Sequence, residues 1–514
     1  MTKNHFSALI LCLCCFCAAA QEIHLDALRP LQNPALAPFY YGVASGDPAP
    51  DAIALWTKVA PAPGEVVATL QWELAEDEQF LKIVQQGEVE TISDINWAVN
   101  VHVGGLKAFQ FYYYRFAYQG KYSRTGRTKT APVDAVQQLR IGVTSCANHQ
   151  AGYFNAYAQL ARRDDVDVVL HLGDYIYEYQ PGGYGNSQLA ARAHIPAKEI
   201  VSLDDYRARY AQYRLDPDLQ ELHARFPVIM IWDDHEFAND AYVDGAQNHQ
   251  PDKEGAWQAR KQAARQAYFE WMPIRPEQAG KLYRSFSFGP LAELWMLDER
   301  MEGRSKQVKS AADSMYHSPT RSMLGQGQFE WLTNGLEQSQ ARWRLIGNQV
   351  IMSSLDGSKV LPQNPKFMDM WDGYPAERER LFRFFEAKNM KNLVVLTGDC
   401  HTTWAMDLTR APNTPGQYAR KSHKNVVGIE YTTPSITSAN YDEYAKRWKV
   451  RIGQKRFKKG GLNPHVRVMD LMHHGYLLLT LSQESARADW YFVRKLSVRD
   501  QREYRGRKWV YRLD

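Results

Sequence analysis

The sequence predicts a layered α/β domain preceded by a small all-β sandwich. Three observations carry that prediction. Residues 39–132 are short, alternating, aromatic-rich segments separated by turns, with no long helical period. Beyond Arg140 the texture changes to apolar, strand-like runs separated by helical stretches, the pattern of stacked α/β layers. The chain has 514 residues, 45% hydrophobic and 23% charged, which excludes wholesale disorder and leaves room for two or more domains.

Taken in order, residues 1–20 read as an export signal: Lys3, an apolar stretch from Phe6, then "CAAA" before Gln21. That stretch is shorter than the roughly 20 residues needed to span a bilayer. No later apolar run is long enough for a transmembrane helix. The expected location is therefore periplasmic or extracellular. A lipid anchor on Cys17 is the weaker reading, because bulky Phe16 precedes it. Four of the six cysteines fall in this leader, and the rest of the chain keeps Cys146 and Cys400. Two thiols are not a disulfide scaffold: either they form one bridge or at least one does chemistry.

Residues 21–135 are assigned to the immunoglobulin- or fibronectin-like sandwich, with strands expected at "ATLQWELAED" (68–77) and "FQFYYYRFAY" (109–118). The breaks "PAPG" and "VGG" punctuate them. Residues 136–496 are assigned to the α/β domain. It opens with the strand "LRIGVTSC", the helix "FNAYAQLARRDD" and the strand "VDVVLHLGD". Strands follow at "PVIMIWDD" (227–234), "LWMLD" (294–298), "WRLIGNQV" (343–350) and "NLVVLTGD" (392–399), with helices across 254–271 and 377–389. β texture from "GYLLLTL" (475–481) to "ADWYFV" (488–493) closes the domain, and residues 497–514 read as a basic tail. The formal charge is +5, and removing Lys3 leaves +4. Residues 446–459 hold eight Lys/Arg and no acid, and residues 494–514 hold eight against three acids. These are solvated faces that could also draw in anionic substrates. They carry no zinc finger, recognition helix or RNA-binding signature, so no nucleic-acid-binding module is expected.

Polar residues collect at the C-terminal ends of the strands, where open α/β sheets place ligands. The first such strand ends in Ser145, Cys146 and Asn148. The next runs into "HLGDYIYEY" (171–179), which supplies Asp174 and Tyr177. The third supplies Asp233, Asp234, His235 and Glu236; later ends supply Asn348, Gln349, Asp399 and His401. A single Asp after a strand is usually a turn or helix cap. Five strand ends offering oxygen, nitrogen or thiolate donors point instead to one or more hydrolytic metals, not to an all-cysteine structural zinc site. A phenol joins a carboxylate on a hard ion only if the metal displaces a proton of pKa about 10. Ferric iron is the obvious candidate. The competing reading of Asp174 and Tyr177 is a strand running into a half-buried aromatic loop.

"GDYIY", "WDDHE" and "GDCH" resemble the metal-binding blocks of calcineurin-like metallophosphoesterases and purple acid phosphatases. The likeness is closer to PhoD-type alkaline phosphatases and phosphodiesterases. Their pattern appears, in family order, as "YGVASGDP" (41–48), "TSCAN" (144–148), "HLGDYIYEY", "WDDHEFAND" (232–240), "GNQV" (347–350), "WDGYP" (371–375), "LTGDCH" (396–401), "TPSITS" (433–438) and "HHGY" (473–476). It spans residues 40–493. The resemblance implies a small β-sandwich followed by a metallophosphoesterase β-sandwich flanked by helices. It also implies Fe(III) held by Cys146, Asp174 and Tyr177, with Ca2+ nearby and Asp174 bridging the two. Asp234, Asp399 and His401 are implied as further metal ligands. Asn348 matches the "GNQ" block, although its amide could equally tie a loop. Two departures stand out: the leader has no twin-arginine pair, and Cys400 occupies a position where the family has an apolar or small residue.

The implied activity is hydrolysis of phosphate esters, monoesters or diesters, by attack of a metal-bound hydroxide. His235 is the candidate to stabilise the transition state or protonate the leaving oxygen, its alternative role being to orient Asp234. Arg300 either contacts phosphate or pairs with a neighbouring acid. Two other functions are weighed: a phosphodiesterase acting on phospholipid or polymer, for which loops 240–255 and 182–195 would decide, and an exported metal-containing binding protein without activity.

Overall fold

Apolar runs with no polar alternation become inner strands buried on both faces. In the computed structural model, which describes residues 26–186, 188–275, 280–360, 366–458 and 462–513, they build two large mixed sheets. The expected leader, residues 1–20 with Cys17, lies outside the described residues. The first sheet has nine strands in the order Glu503–Arg512, Ser485–Val493, Gly475–Leu481, Leu139–Thr144, Val168–Leu172, Pro227–Ile231, Val43–Gly46, Ile53–Lys58, Ala98–Val103. Its middle four, from Leu139–Thr144 to Val43–Gly46, pair in parallel. The second sheet has seven, ordered Arg284–Phe288, Ala292–Met296, Trp343–Asn348, Leu393–Thr397, Gly428–Thr432, Thr403–Leu408, Val466–Asp470.

Period-two alternation decides how the second sheet is sandwiched. Leu294, Met296, Leu345, Val394 and Leu396 point into a core shared with Val143, Val169 and Leu172 of the first sheet. Their neighbours Trp295, Ile346, Leu393 and Val395 point the other way. There they pack on helices Gln326–Gln338 and Pro375–Ala387 through Leu332, Leu336, Leu381 and Phe385. Helices Asn155–Ala161, Leu203–Arg214, Pro217–Arg225 and Trp257–Trp271 contribute buried side chains to the core of the first sheet. Local signals fix their starts: a Ser202–Asp205 capping box opens one, and the Asp216 carboxylate caps the next with Pro217 at its first position. The helix expected over 254–271 is broken at Gly255, whose φ of 83° lies in the left-handed region, so Pro251–Glu254 and Trp257–Trp271 are separate.

The aromatic-rich N-terminal segment forms a sandwich, but one of its layers is borrowed. Strands Ile83–Ile92, Val67–Ala75, Phe111–Tyr118 and Lys121–Tyr122 make a sheet of their own, with Gly126–Lys129 also paired to Phe111–Tyr118. Leu70, Leu74, Tyr112 and Phe116 face Ile53, Leu55, Val99 and Val103, which lie in strands continuous with the nine-stranded sheet. Trp56, between Leu55 and Thr57, instead faces the large core. Residues 497–514, which the sequence reads as a tail, contain the edge strand Glu503–Arg512, paired antiparallel along Ser485–Val493. Its charged, mostly exposed residues carry no apolar alternation to announce a strand; such charge on an edge keeps it from pairing with other chains.

Candidate metal centre

Strands from both sheets end at one place, and the turns after them are unusually strained. Cys146, Asp174, Asp399 and His401 have φ of 61°, 55°, 52° and 58°. Left-handed backbone at non-glycine residues is uncommon and costs free energy, so four such positions at adjoining strand ends mark a site that the surrounding fold enforces. Gly173 makes the approach possible. A Cβ there would lie 2.5 Å from the backbone nitrogen of Asp233 and 2.4 Å from its Cβ. The turns after Val168–Leu172 and Pro227–Ile231 can touch only because that position has no side chain.

Three groups of donor atoms result, each with its atoms within 4.8 Å of one another: Cys146, Asp174 and His401; Asp174, Asp234 and His235; Asp233, Asp234 and Asp399. The first two share Asp174 and the last two share Asp234. Tyr177 joins the first group, its hydroxyl donating to Asp174 Oδ2 at 2.9 Å, accepting from Ser438 Oγ at 2.6 Å and lying 3.3 Å from His401 Nε2. His401 Nδ1–H donates to the Ala439 carbonyl at 3.0 Å, which orients the ring with Nε2 3.9 Å from Asp174 Oδ2. The residues fit metal ions. Asp174 Oδ1, Asp233 Oδ2 and Asp234 Oδ1 are buried and accept no hydrogen bond, which is costly for carboxylates unless a cation faces them.

Electrostatics points the same way. Burial, offset in part by Arg300, and then the neighbouring carboxylates push the Asp233 and Asp399 carboxyls well above the usual range; the Asp234 carboxyl is raised as well. Burial, then the charges of Asp174, raise the Cys146 thiol and the Tyr177 phenol. A bound cation reverses each of these shifts by stabilising the ionised form. A guanidinium stands among them: Arg300 is fully buried, its Nη1 donating to Asp369 at 2.9 Å and Nη2 to Asp399 at 3.3 Å, while Nε donates to Asp233. Arg300 therefore pairs with acids, as one of its two sequence readings has it. Burial opposes the charge on His235, but Asp174, Asp234 and Glu178 outweigh it and hold the imidazolium well above its ordinary value.

Of the positioning residues, Glu178, Glu299, Glu430 and Tyr184 carry no signal strong enough to single them out in the sequence, whereas Glu236 stands among the strand-end polar residues without an assigned role. Glu178, inside "HLGDYIYEY", accepts from His235 Nδ1 at 2.7 Å, from the Asn239 backbone at 2.8 Å and from Asn248 Nδ2 at 2.9 Å. Glu236 accepts from the backbone N–H groups of Asp233 at 2.7 Å and Asp174 at 3.0 Å, and from that of Tyr175. Glu299 and Glu430 clamp the turns of the second sheet in the same way, through the N–H groups of Gln349 and Val350 and of Met352 and Ser353. Tyr184 covers the donors: its ring centroid is 5.4 Å from Tyr177, 5.5 Å from His235 and 6.3 Å from His401. Asn348 has its amide nitrogen on the Val350 carbonyl and Thr397 Oγ1, and its oxygen accepts from Trp371 Nε1 at 3.2 Å. These contacts tie the loop that follows Trp343–Asn348. Cys146 and Cys400 are both free thiols.

The comparisons with known proteins agree with one another. A family model described as PhoD-like phosphatase matches residues 141–490, and the model for the N-terminal domain of that family matches residues 26–132. The chain belongs to the PhoD-like phosphatase family. Alkaline phosphatase D of Bacillus subtilis (strain 168) is 36% identical over 494 residues, covering 92% of this chain and 80% of that protein. A solved structure described as that of PhoD superposes with a TM-score of 0.83 at 34% identity, covering 93% of this chain and 91% of the other. As a PhoD-like phosphatase the chain is a phosphoesterase of a metal-dependent family, and the donor groups described above are where metals fit. Among the described residues, no helix is long and apolar enough to cross a membrane.

Proposed function

We propose that this chain is an exported phosphatase that hydrolyses phosphate monoesters, diesters or both at a centre holding Fe(III) and Ca2+. The two mixed sheets correspond on this reading to a metallophosphoesterase sandwich, preceded by an immunoglobulin- or fibronectin-like domain. The carrying observation is the adjacency of the donor groups: Asp174 lies with Cys146 and His401 in one group and within reach of Asp234, a member of the all-carboxylate group, in another. Cys146, Asp174, Tyr177 and His401 would hold the iron, since thiolate and phenolate suit a strongly acidic ion. Asp233, Asp234 and Asp399 offer the all-oxygen set that calcium takes. Bound metals supply neutralisation of the phosphoryl oxygens and a water acidic enough to attack at neutral pH.

The rest of the work falls to the chain. His235, its Nδ1 held by Glu178, stands beside Asp174 and Asp234 as proton donor to the leaving oxygen. Arg300 relieves the repulsion among Asp233, Asp369 and Asp399 and so keeps their oxygens turned to one side. Tyr184 shields the centre from bulk water. The experiment is metal analysis of the purified protein followed by a panel of mono- and diesters. Iron bound with a second cation, activity lost on chelation and regained with calcium present, supports the reading. Full activity in verified metal-free protein, or no turnover of any ester with metals bound, refutes it.

A further inference from the structure

The basic stretch 446–459 is not used by the metal centre, and the structure gives it a shape. Residues Arg447–Lys458 form a helix. One face, Val450, Gly453 and Phe457, turns inward; Val450 and Phe457 are buried against Trp404 and Met469. The opposite face carries Trp448 and Ile452, one turn apart, at 57% and 41% exposure, with Tyr444 and Tyr441 just before the helix at 60% and 47%. Arg451, Lys455 and Arg456 flank the two apolar side chains at helical spacing and are exposed. Among the described residues, Lys446, Lys449, Arg451, Lys455, Arg456 and Lys458 make no ion pair. Three large side chains held out in water within one short segment, Tyr444, Trp448 and Ile452, mark an interaction surface. Unpaired cations around them specify an anionic partner.

We propose that this face docks the protein onto an anionic lipid surface, with Trp448, Ile452 and Tyr444 entering the interface and the flanking basic residues meeting headgroup phosphates. An amphipathic helix lying in a bilayer interface has this division of aromatic, aliphatic and basic side chains. Apolar side chains one turn apart along a helix, flanked by basic ones, match the division of an interfacial helix and no recognised nucleic-acid-binding motif, which favours the lipid. The segment is tied directly to the metal centre. Ala439, whose carbonyl accepts from His401, leads into the Tyr441–Tyr444 turn, and Asn186 in the loop bearing Tyr184 donates to the Glu443 carbonyl at 2.8 Å. Beneath the helix lies an apolar cavity of about 270 Å³ walled by Val450, Phe457, Trp404, Tyr441 and, between two proposed metal ligands, Cys400. Resting on the phosphatase reading, docking here puts phosphate esters of amphiphiles at the mouth of the site, with an apolar arm of the ester in that cavity.

The test is sedimentation of the full chain with phosphatidylcholine vesicles, with and without phosphatidylglycerol, alongside hydrolysis of p-nitrophenyl phosphate. Binding that requires phosphatidylglycerol is expected. Trp448→Ser with Ile452→Ser, or Lys455→Glu with Arg456→Glu, should lower partitioning on the order of tenfold or more while leaving hydrolysis of the soluble ester unchanged. Hydrolysis of a short-chain phosphatidic acid presented in anionic vesicles should fall with either pair. Absence of vesicle binding, equal binding to both vesicle types, or binding untouched by both pairs overturns the proposal. So does binding of the same residues to an oligonucleotide without vesicle binding. Vesicle binding is read without turnover, so loss of the phosphatase reading leaves it decidable.

Discussion

Replacing Glu236 by Ala removes the acceptor for three buried backbone N–H groups, those of Asp233, Asp174 and Tyr175. Each unpaired buried donor costs about 1–3 kcal/mol. Water entering the space left by the side chain recovers part of this, so the expected loss is roughly 3–6 kcal/mol, a large share of the about 5–15 kcal/mol by which folded proteins are stable. Glu236→Gln keeps one oxygen. Placed at Oε2 it still serves Asp233 and Asp174 and leaves only Tyr175 facing an amide nitrogen, so the Gln variant should lose about half as much. Urea titration of metal-stripped protein measures both, as a shift of midpoint at constant slope. Because the same N–H groups set the backbone of Asp174 and Asp233, metal content per chain should fall in the same order, wild type above Gln above Ala. An Ala variant within about 0.5 kcal/mol of wild type, with metal content unchanged, refutes the clamp.

Three further outcomes are expected. Tyr177→Phe keeps the ring but removes the hydroxyl between Asp174 and Ser438; iron-loaded wild-type protein should be coloured, and the variant should lose or shift the visible band and turn over more slowly. An unchanged band at equal iron content would make Tyr177 only a loop aromatic. Glu178→Gln should lower kcat for a phosphate ester about ten- to a hundredfold with a smaller change in KM, because His235 loses the carboxylate that holds its Nδ1 proton; unchanged kcat rules out that role. Burial pulls the Lys58 ammonium down from 10.5 to about 7, so between those pH values the unfolded chain keeps a proton that the folded chain has released. Stability therefore rises with pH across that window by on the order of 4 kcal/mol from this group. Lys58→Met should remove that slope, as read by urea titration at several pH values, and an unchanged slope refutes it.

The sequence by itself picked out most of the donors that the fold brings together. Most of the expected strands are present within a few residues of their expected ends, because long apolar runs have no stable alternative to burial on both faces. The donors follow those runs, so Cys146, Asp174, Asp234, His235, Asp399 and His401 were legible as a set before their distances were known. Only tertiary structure decided what holds them. Glu178 has the same chemistry as any surface glutamate, and Glu236, although visible at a strand end, has partners on another turn, Asp174 and Tyr175, that no local pattern records. Arg300 meets Asp233 and Asp399 from separate strand ends and Asp369 from the loop before Trp371, a convergence that depends on sheet order. The same holds for the sandwich and the tail. Val43–Gly46 joins the large sheet by pairing with Pro227–Ile231, and Glu503–Arg512 joins by pairing with Ser485–Val493. Strand pairing is a choice among partners distant in sequence, so it is settled by which edges the folded core leaves open.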